Sequence, residues 1–157
     1  MKLAQGGKLI LNAAASLADA AEDEEAKALP DAPGKDLMVK VCLSCHGAGN
    51  IRKRRLTKEA WAEKVADMVD RGAEANEAQQ AVVVDYLTQT FGKDSKVHIN
   101  TAPFEELRSV VGLTVEEAKA VLTYRKENGD FKSWQDLQKV PGVDAQKIEA
   151  KKELIDL

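Results

Sequence analysis

The stretch Cys42-Leu43-Ser44-Cys45-His46 constrains this chain more than any other, because it holds the only two cysteines in 157 residues and sets an imidazole directly behind the second. Two thiols at this spacing each reach one vinyl group of a porphyrin, while the adjacent imidazole supplies an axial ligand to its iron. Two other chemistries use paired cysteines. A four-ligand zinc site would need His98 or carboxylates to complete it, since no second cysteine pair exists. A thiol-redox pair normally follows a strand and opens a helix, whereas this pair closes a helical pattern. The motif therefore favours one covalent haem c.

Composition limits the fold around it. Aromatic residues make up only 4% of the chain, and Ala, Leu, Val, Glu and Lys dominate, so the expected class is all-α. A net charge of -3 excludes a generally basic nucleic-acid binder. No run of 18 apolar residues is present, so no membrane span is expected. Nothing in the pattern is hydrolytic: the two histidines, His46 and His98, have no nucleophile pattern beside them, and the expected activity is electron carriage rather than catalysis.

Three segments follow. Residues 1–29 are Ala-rich, begin with Lys2 and Lys8, and end in an acidic run, which suits either an export signal or a solvated tether. Pro30 and Pro33-Gly34 mark the start of a second segment, 30–93. Three helices are expected there. The first runs from about Lys35 into the cysteine motif with Leu37, Met38 and Val41 inward, and a loop spans Gly47 to Leu56. Thr57 caps the second helix, whose Trp61, Val65 and Met68 share a face, and Gly72 ends it. Asn76 caps the third, with Val82, Val83, Tyr86 and Leu87 as its apolar face. The aromatics of this segment are Trp61, Tyr86 and Phe91, a thin basis for a core that a buried porphyrin would complete.

Leu29-Pro30-Asp31-Ala32-Pro33-Gly34-Lys35, Cys42 to Gly47, the basic run Arg52 to Arg55, Trp61 and the apolar helix Val82 to Leu87 together resemble the small class I-like cytochrome c domains. The resemblance covers about 60 residues and implies a haem held between a first and a last helix, one-electron transfer and a redox partner protein. For the sixth iron ligand the candidates are Met38, Met68 and His98, with Met68 favoured because it lies far enough along the chain to return over the haem. Arg52, Arg54 and Arg55 suit either pairing with haem propionates or docking of an acidic partner, with Lys53 solvated; Trp61 is expected against the haem. Attachment at such a motif resembles what is done outside the cytoplasm, which implies a periplasmic or extracellular location.

The third segment, 96–157, follows a linker at Lys93 to Lys96 and contains an internal repeat with an offset of 30 residues. Phe104 pairs with Trp134, Leu107 with Leu137, Val110 with Val140 and Gly112 with Gly142. Each unit reads as a short helix, a glycine hairpin and a second helix. Ser133 is an expected N-cap, and Thr114 with Glu117 an expected capping box. Val97-His98-Ile99-Asn100-Thr101-Ala102, Val111-Gly112-Leu113 and Val140-Pro141-Gly142-Val143 resemble the tandem helix-hairpin-helix domain of the ComEA-like competence DNA-receptor family. That resemblance implies backbone N-H groups at helix starts approaching DNA phosphates, at Gly112, Leu113 and Thr114 with Lys119, and at Gly142 with Lys147. The second hairpin glycine of that family is Thr114 in one unit and Asp144 in the other, and the segment carries ten Lys and Arg against eleven Asp and Glu. Salt-sensitive, low-affinity DNA binding is the most such a domain offers; docking, tethering or self-assembly into a cytochrome array are the other expected roles.

Overall fold

The computed structural model describes residues 24–157, so the export-signal or tether reading falls, up to residue 23, outside the described residues. Among the described residues the chain is mostly helical, with two very short strands. Its buried apolar residues form two clusters, one drawn from Leu29 to Phe91 and the other from Val97 to Ile155.

In the N-terminal module Gly34 adopts a left-handed φ of 91° and starts α1 (Lys35–Met38), where a side chain would press on Val82 and Tyr86. The helix widens into a π-turn over Val39–Leu43, which carries Cys42 out of the α-helical register. Met38 is completely buried, with Val41 and Leu43 beside it, while Leu37 is only partly covered. The loop expected at Gly47 to Leu56 contains a helical turn, α2 (Gly49–Arg52), because Ala48 and Ile51 bury themselves against the cluster and draw the backbone into a turn. Thr57 accepts the Ala60 amide and starts α3 (Lys58–Asp70). Asn76 and Gln79 form a reciprocal capping box at α4 (Glu77–Phe91). Trp61 Nε1 donates to the Phe91 carbonyl at 3.0 Å, tying α3 to the end of α4. The inward face of α4 is Val83, Val84, Tyr86, Leu87 and Phe91; Val82, expected inside, is 43% exposed because Tyr86 and Val83 set the buried stripe.

The C-terminal module begins with β1 (Val97–His98), followed by α5 (Phe104–Glu106) and a π-turn over Leu107–Val111. That extra residue per turn buries Val111 completely and leaves Val110 at the edge of the cluster, where the plain repeat would have put it inside. The other elements are α6 (Val115–Asn128), α7 (Trp134–Gln138), α8 (Ala145–Ala150), a 3₁₀ turn over Lys152–Leu154 and β2 (Ile155–Asp156). Thr114 and Ser133 both form full capping boxes, with Glu117 and Asp136. β1 and β2 pair in parallel, Val97 with Ile155 and His98 with Asp156, so the two ends of the repeat close on each other.

Candidate functional site

The cysteine motif opens onto a cavity of about 460 Å³ that α3 closes from the side. Val41, Cys42, Cys45 and His46 line it from the motif, Asn50, Ile51 and Arg54 from α2 and its exit, and Trp61, Val65 and Met68 from α3. Leu87 of α4 completes an apolar wall. A second cavity of about 620 Å³ shares Val41, Cys45 and Ala73 and is bordered by Lys40, Ser44 and Gln79.

The side chains in this cavity fit a covalently held haem. Cys42 and Cys45 are both free thiols, the first half-buried and the second exposed. Burial, with a smaller contribution from Cys45, pushes the Cys42 thiol up to about 11, so it is a neutral thiol at ordinary pH rather than the activated thiolate of a redox pair. Among the described residues, His46 Nδ1 is a buried polar atom with no hydrogen-bond partner, in a ring that lines the cavity. A buried polar atom without a partner costs about 1–3 kcal/mol, which suits an imidazole whose place is set by a bound group. Met68, from the last turns of α3, reaches the same cavity.

The other two candidate sixth ligands lie elsewhere. Met38 is packed wholly inside the core, and His98 sits on β1 in the C-terminal module with its side chain half exposed, 3.8 Å from Asp156. His98 is thereby also removed from any zinc site with the cysteines. Among the described residues no group of three or more His, Cys, Asp and Glu converges to hold a metal ion.

The basic run divides. Arg54 lines the cavity, as do Lys64 of α3 and Arg71 just past its end, which pairs with Asp67 at 3.1 Å. Arg52 and Arg55, expected either at haem propionates or at the surface as a docking patch, turn to the C-terminal module instead, and the reason is electrostatic: both pair with Glu106, which is 2% exposed. A buried carboxylate requires such partners. Arg52 Nε donates to Glu106 Oε2 at 2.9 Å, and Arg55 donates to Glu106 Oε1. Arg55 Nε also donates to the Ser95 carbonyl at 3.0 Å, so the expected linker is clamped against the N-terminal module. Nothing in the sequence near Glu106 distinguished it from its exposed neighbours.

In the hairpin module the glycines behave as the repeat requires. Gly112 and Gly142 take left-handed φ values of 80° and 84°, and both are exposed. The amides around them are engaged by the protein itself. Leu113 is buried and its N-H donates to the Leu107 carbonyl at 3.1 Å. The Thr114 N-H donates to Glu117 Oε2 at 2.7 Å, and the same oxygen accepts from Lys147 Nζ at 2.7 Å. Those two contacts, Lys147 first, hold the Glu117 carboxyl down at about 2. Asp144 accepts from the Gln146 amide at 2.9 Å and from that of Lys147. Of the residues expected at DNA phosphates, Thr114 and Lys147 are thus committed to carboxylates at the helix starts and Leu113 to the Leu107 carbonyl; Gly112, Gly142 and Lys119 remain exposed.

The paired short helices, glycine hairpins and closing strands define a helix-hairpin-helix domain, and residues 92–155 match the family model described as helix-hairpin-helix motif. Over 58 residues the chain is 41% identical to ComE operon protein 1 of Bacillus subtilis (strain 168), covering 37% of this chain and 28% of that protein. Over 60 residues it is 40% identical to endonuclease/exonuclease/phosphatase family domain-containing protein 1 of Mus musculus, covering 38% of this chain and 10% of that protein. The chain thus spans about a quarter or less of the curated relatives it matches. No solved structure matches.

Proposed function

We propose that this chain is a mono-haem c-type cytochrome, a single-electron carrier, whose helix-hairpin-helix domain docks or tethers it. The observation that carries the reading is the convergence of Cys42, Cys45, His46 and Met68 on one apolar cavity. The two thiols would anchor the group as thioethers, His46 would be the proximal ligand and Met68 the distal one. When bound, the haem supplies one-electron exchange at its iron. The protein's own part is to exclude water with Val41, Ile51, Trp61, Val65 and Leu87, and to offer Arg54, with Lys64 and Arg71, to the propionates. Thioether attachment of this kind fits a periplasmic or extracellular location. Among the described residues no helix is long and apolar enough to cross a membrane.

Protein expressed with cytochrome c maturation and then denatured in pyridine and alkali should show a haemochrome that stays with the polypeptide. A colourless protein, or haem that extracts into acidified solvent, would overturn the reading.

A second reading is a DNA-binding protein carrying an attached haem domain, and the comparisons bear on this reading more directly, since they match the hairpin domain alone. Exposed Gly112, Gly142 and Lys119 support it, while the carboxylates of Glu117 and Asp144 at the helix starts oppose it. Titration of duplex DNA in a salt series decides: binding that weakens steeply with salt and is lost on Gly112→Val supports this reading, and no binding at low salt removes it.

A further inference from the structure

The loop behind His46 is held from outside its own module. Ala48 N donates to Glu25 Oε2 at 2.7 Å, and a side chain at Gly47 would collide with that carboxylate. Four residues further on, Arg52 ends α2 and is 3% exposed. Its guanidinium donates to Glu106 of the hairpin domain, to the Ala28 carbonyl and, at 3.5 Å, to Thr101 Oγ1. One buried cation thus joins three pieces of chain: the segment before Pro30, the helical turn after the imidazole, and α5 with the turn that precedes it.

We propose that Glu106 is a positioning residue for the His46 loop, so that the hairpin domain forms part of the frame of the haem crevice. Glu106 is the only acidic group among the described residues that ion-pairs with Arg52 or Arg55. Without its charge the two guanidiniums lose their common anchor, α2 is released at its C-terminal end, and the backbone from Gly47 to Lys53 gains freedom next to the axial imidazole. The inference rests on the haem reading only for its second readout below.

The test uses the full chain with Glu106→Gln, and with Glu106→Asp as the variant that keeps the charge and shortens its reach. Backbone amide hydrogen exchange is measured over residues 47–53 and 97–111, and on the haem-loaded protein the rate at which the ferric iron loses its His46 ligand in denaturant, followed by the Soret band. Glu106→Gln should speed both exchange at 47–53 and loss of the His46 ligand by about tenfold or more, with Glu106→Asp between it and the parent. Should Glu106→Gln fail to fold, the Glu106→Asp comparison with the parent carries the same expectation at about threefold. Exchange that rises at 97–111 while 47–53 stays unchanged would overturn the proposal, because Glu106 would then serve its own domain alone. A protein that takes up no haem would sink the cytochrome reading, and the exchange data would still decide the positioning.

Discussion

Met68 and Glu117 show how much one side chain carries when its neighbours are fixed. Met68 lies far enough from His46 along the chain to return over a bound group, and the structure puts it on the cavity wall with that histidine, on a helix capped by Thr57. If the chain carries the proposed haem, a Met68 thioether ligand would raise its reduction potential, and Met68→Ala should lower the midpoint potential by about 0.1 V or more, measured by spectroelectrochemistry. An unchanged potential would mean that Met68 only fills space. Glu117 titrates at about 2 in the folded chain against an ordinary value of 4.5, so its contribution to stability is complete above 4.5 and is lost as the pH falls toward 2. Denaturant unfolding followed by Trp134 fluorescence should show stability dropping through that window in the parent, and dropping less in Glu117→Gln. Glu117 and Lys147 occupy equivalent positions of the 30-residue repeat, so this pair holds the two hairpins together.

At the level of elements, the caps were legible because their chemistry is local. Thr57, Asn76, Thr114 and Ser133 each have a side chain that accepts an amide three residues on, and a cap of this kind needs no knowledge of the rest of the fold. Asn76→Ala should therefore cost about 1 kcal/mol, read from urea unfolding, with the helix content of the native state unchanged. The two π-turns were not legible. Each inserts a residue into a helix so that particular side chains meet a partner, Met38 and Leu43 in one case, Leu107 and Val111 in the other, and that choice is made by packing rather than by propensity. Packing likewise displaced Val82 from the core position that periodicity assigned it. The strands β1 and β2 escaped notice because two residues are too few to show alternation.

For the whole molecule, the boundary between modules matters more than either module. The sequence between Gly92 and Val97 reads as a linker, yet Leu56 bridges to Gly92 and Arg55 holds the carbonyls of Ser95 and Lys96. With the buried Arg52–Glu106–Arg55 cluster these contacts join the two hydrophobic clusters directly. Removing one partner of a buried ion pair costs about 3–5 kcal/mol, since the other charge is left in a low-dielectric site. Arg52→Met leaves Arg55 on Glu106, so it should lower stability by less, about 1–3 kcal/mol, and separate the unfolding of the modules. Trp61 and Trp134, one in each module, should report coincident thermal transitions in the parent and distinct ones in the variant. Coincident transitions in both proteins would show that the junction adds nothing to cooperativity.

What the sequence determined by itself was local order. The spacing of Cys42, Cys45 and His46, the helix caps, and the paired hairpin glycines at Gly112 and Gly142 depend on residues only a few positions apart, where covalent geometry decides. The tertiary structure alone decided where charge went. Arg52, Arg54 and Arg55 are near neighbours in one basic run, but a single buried carboxylate from residue 106 drew two of them to the domain junction and left Arg54 at the cavity. Glu117 and Asp144 likewise fill the helix starts of the hairpins, because an unpaired amide and a nearby carboxylate satisfy each other whenever the fold brings them within reach.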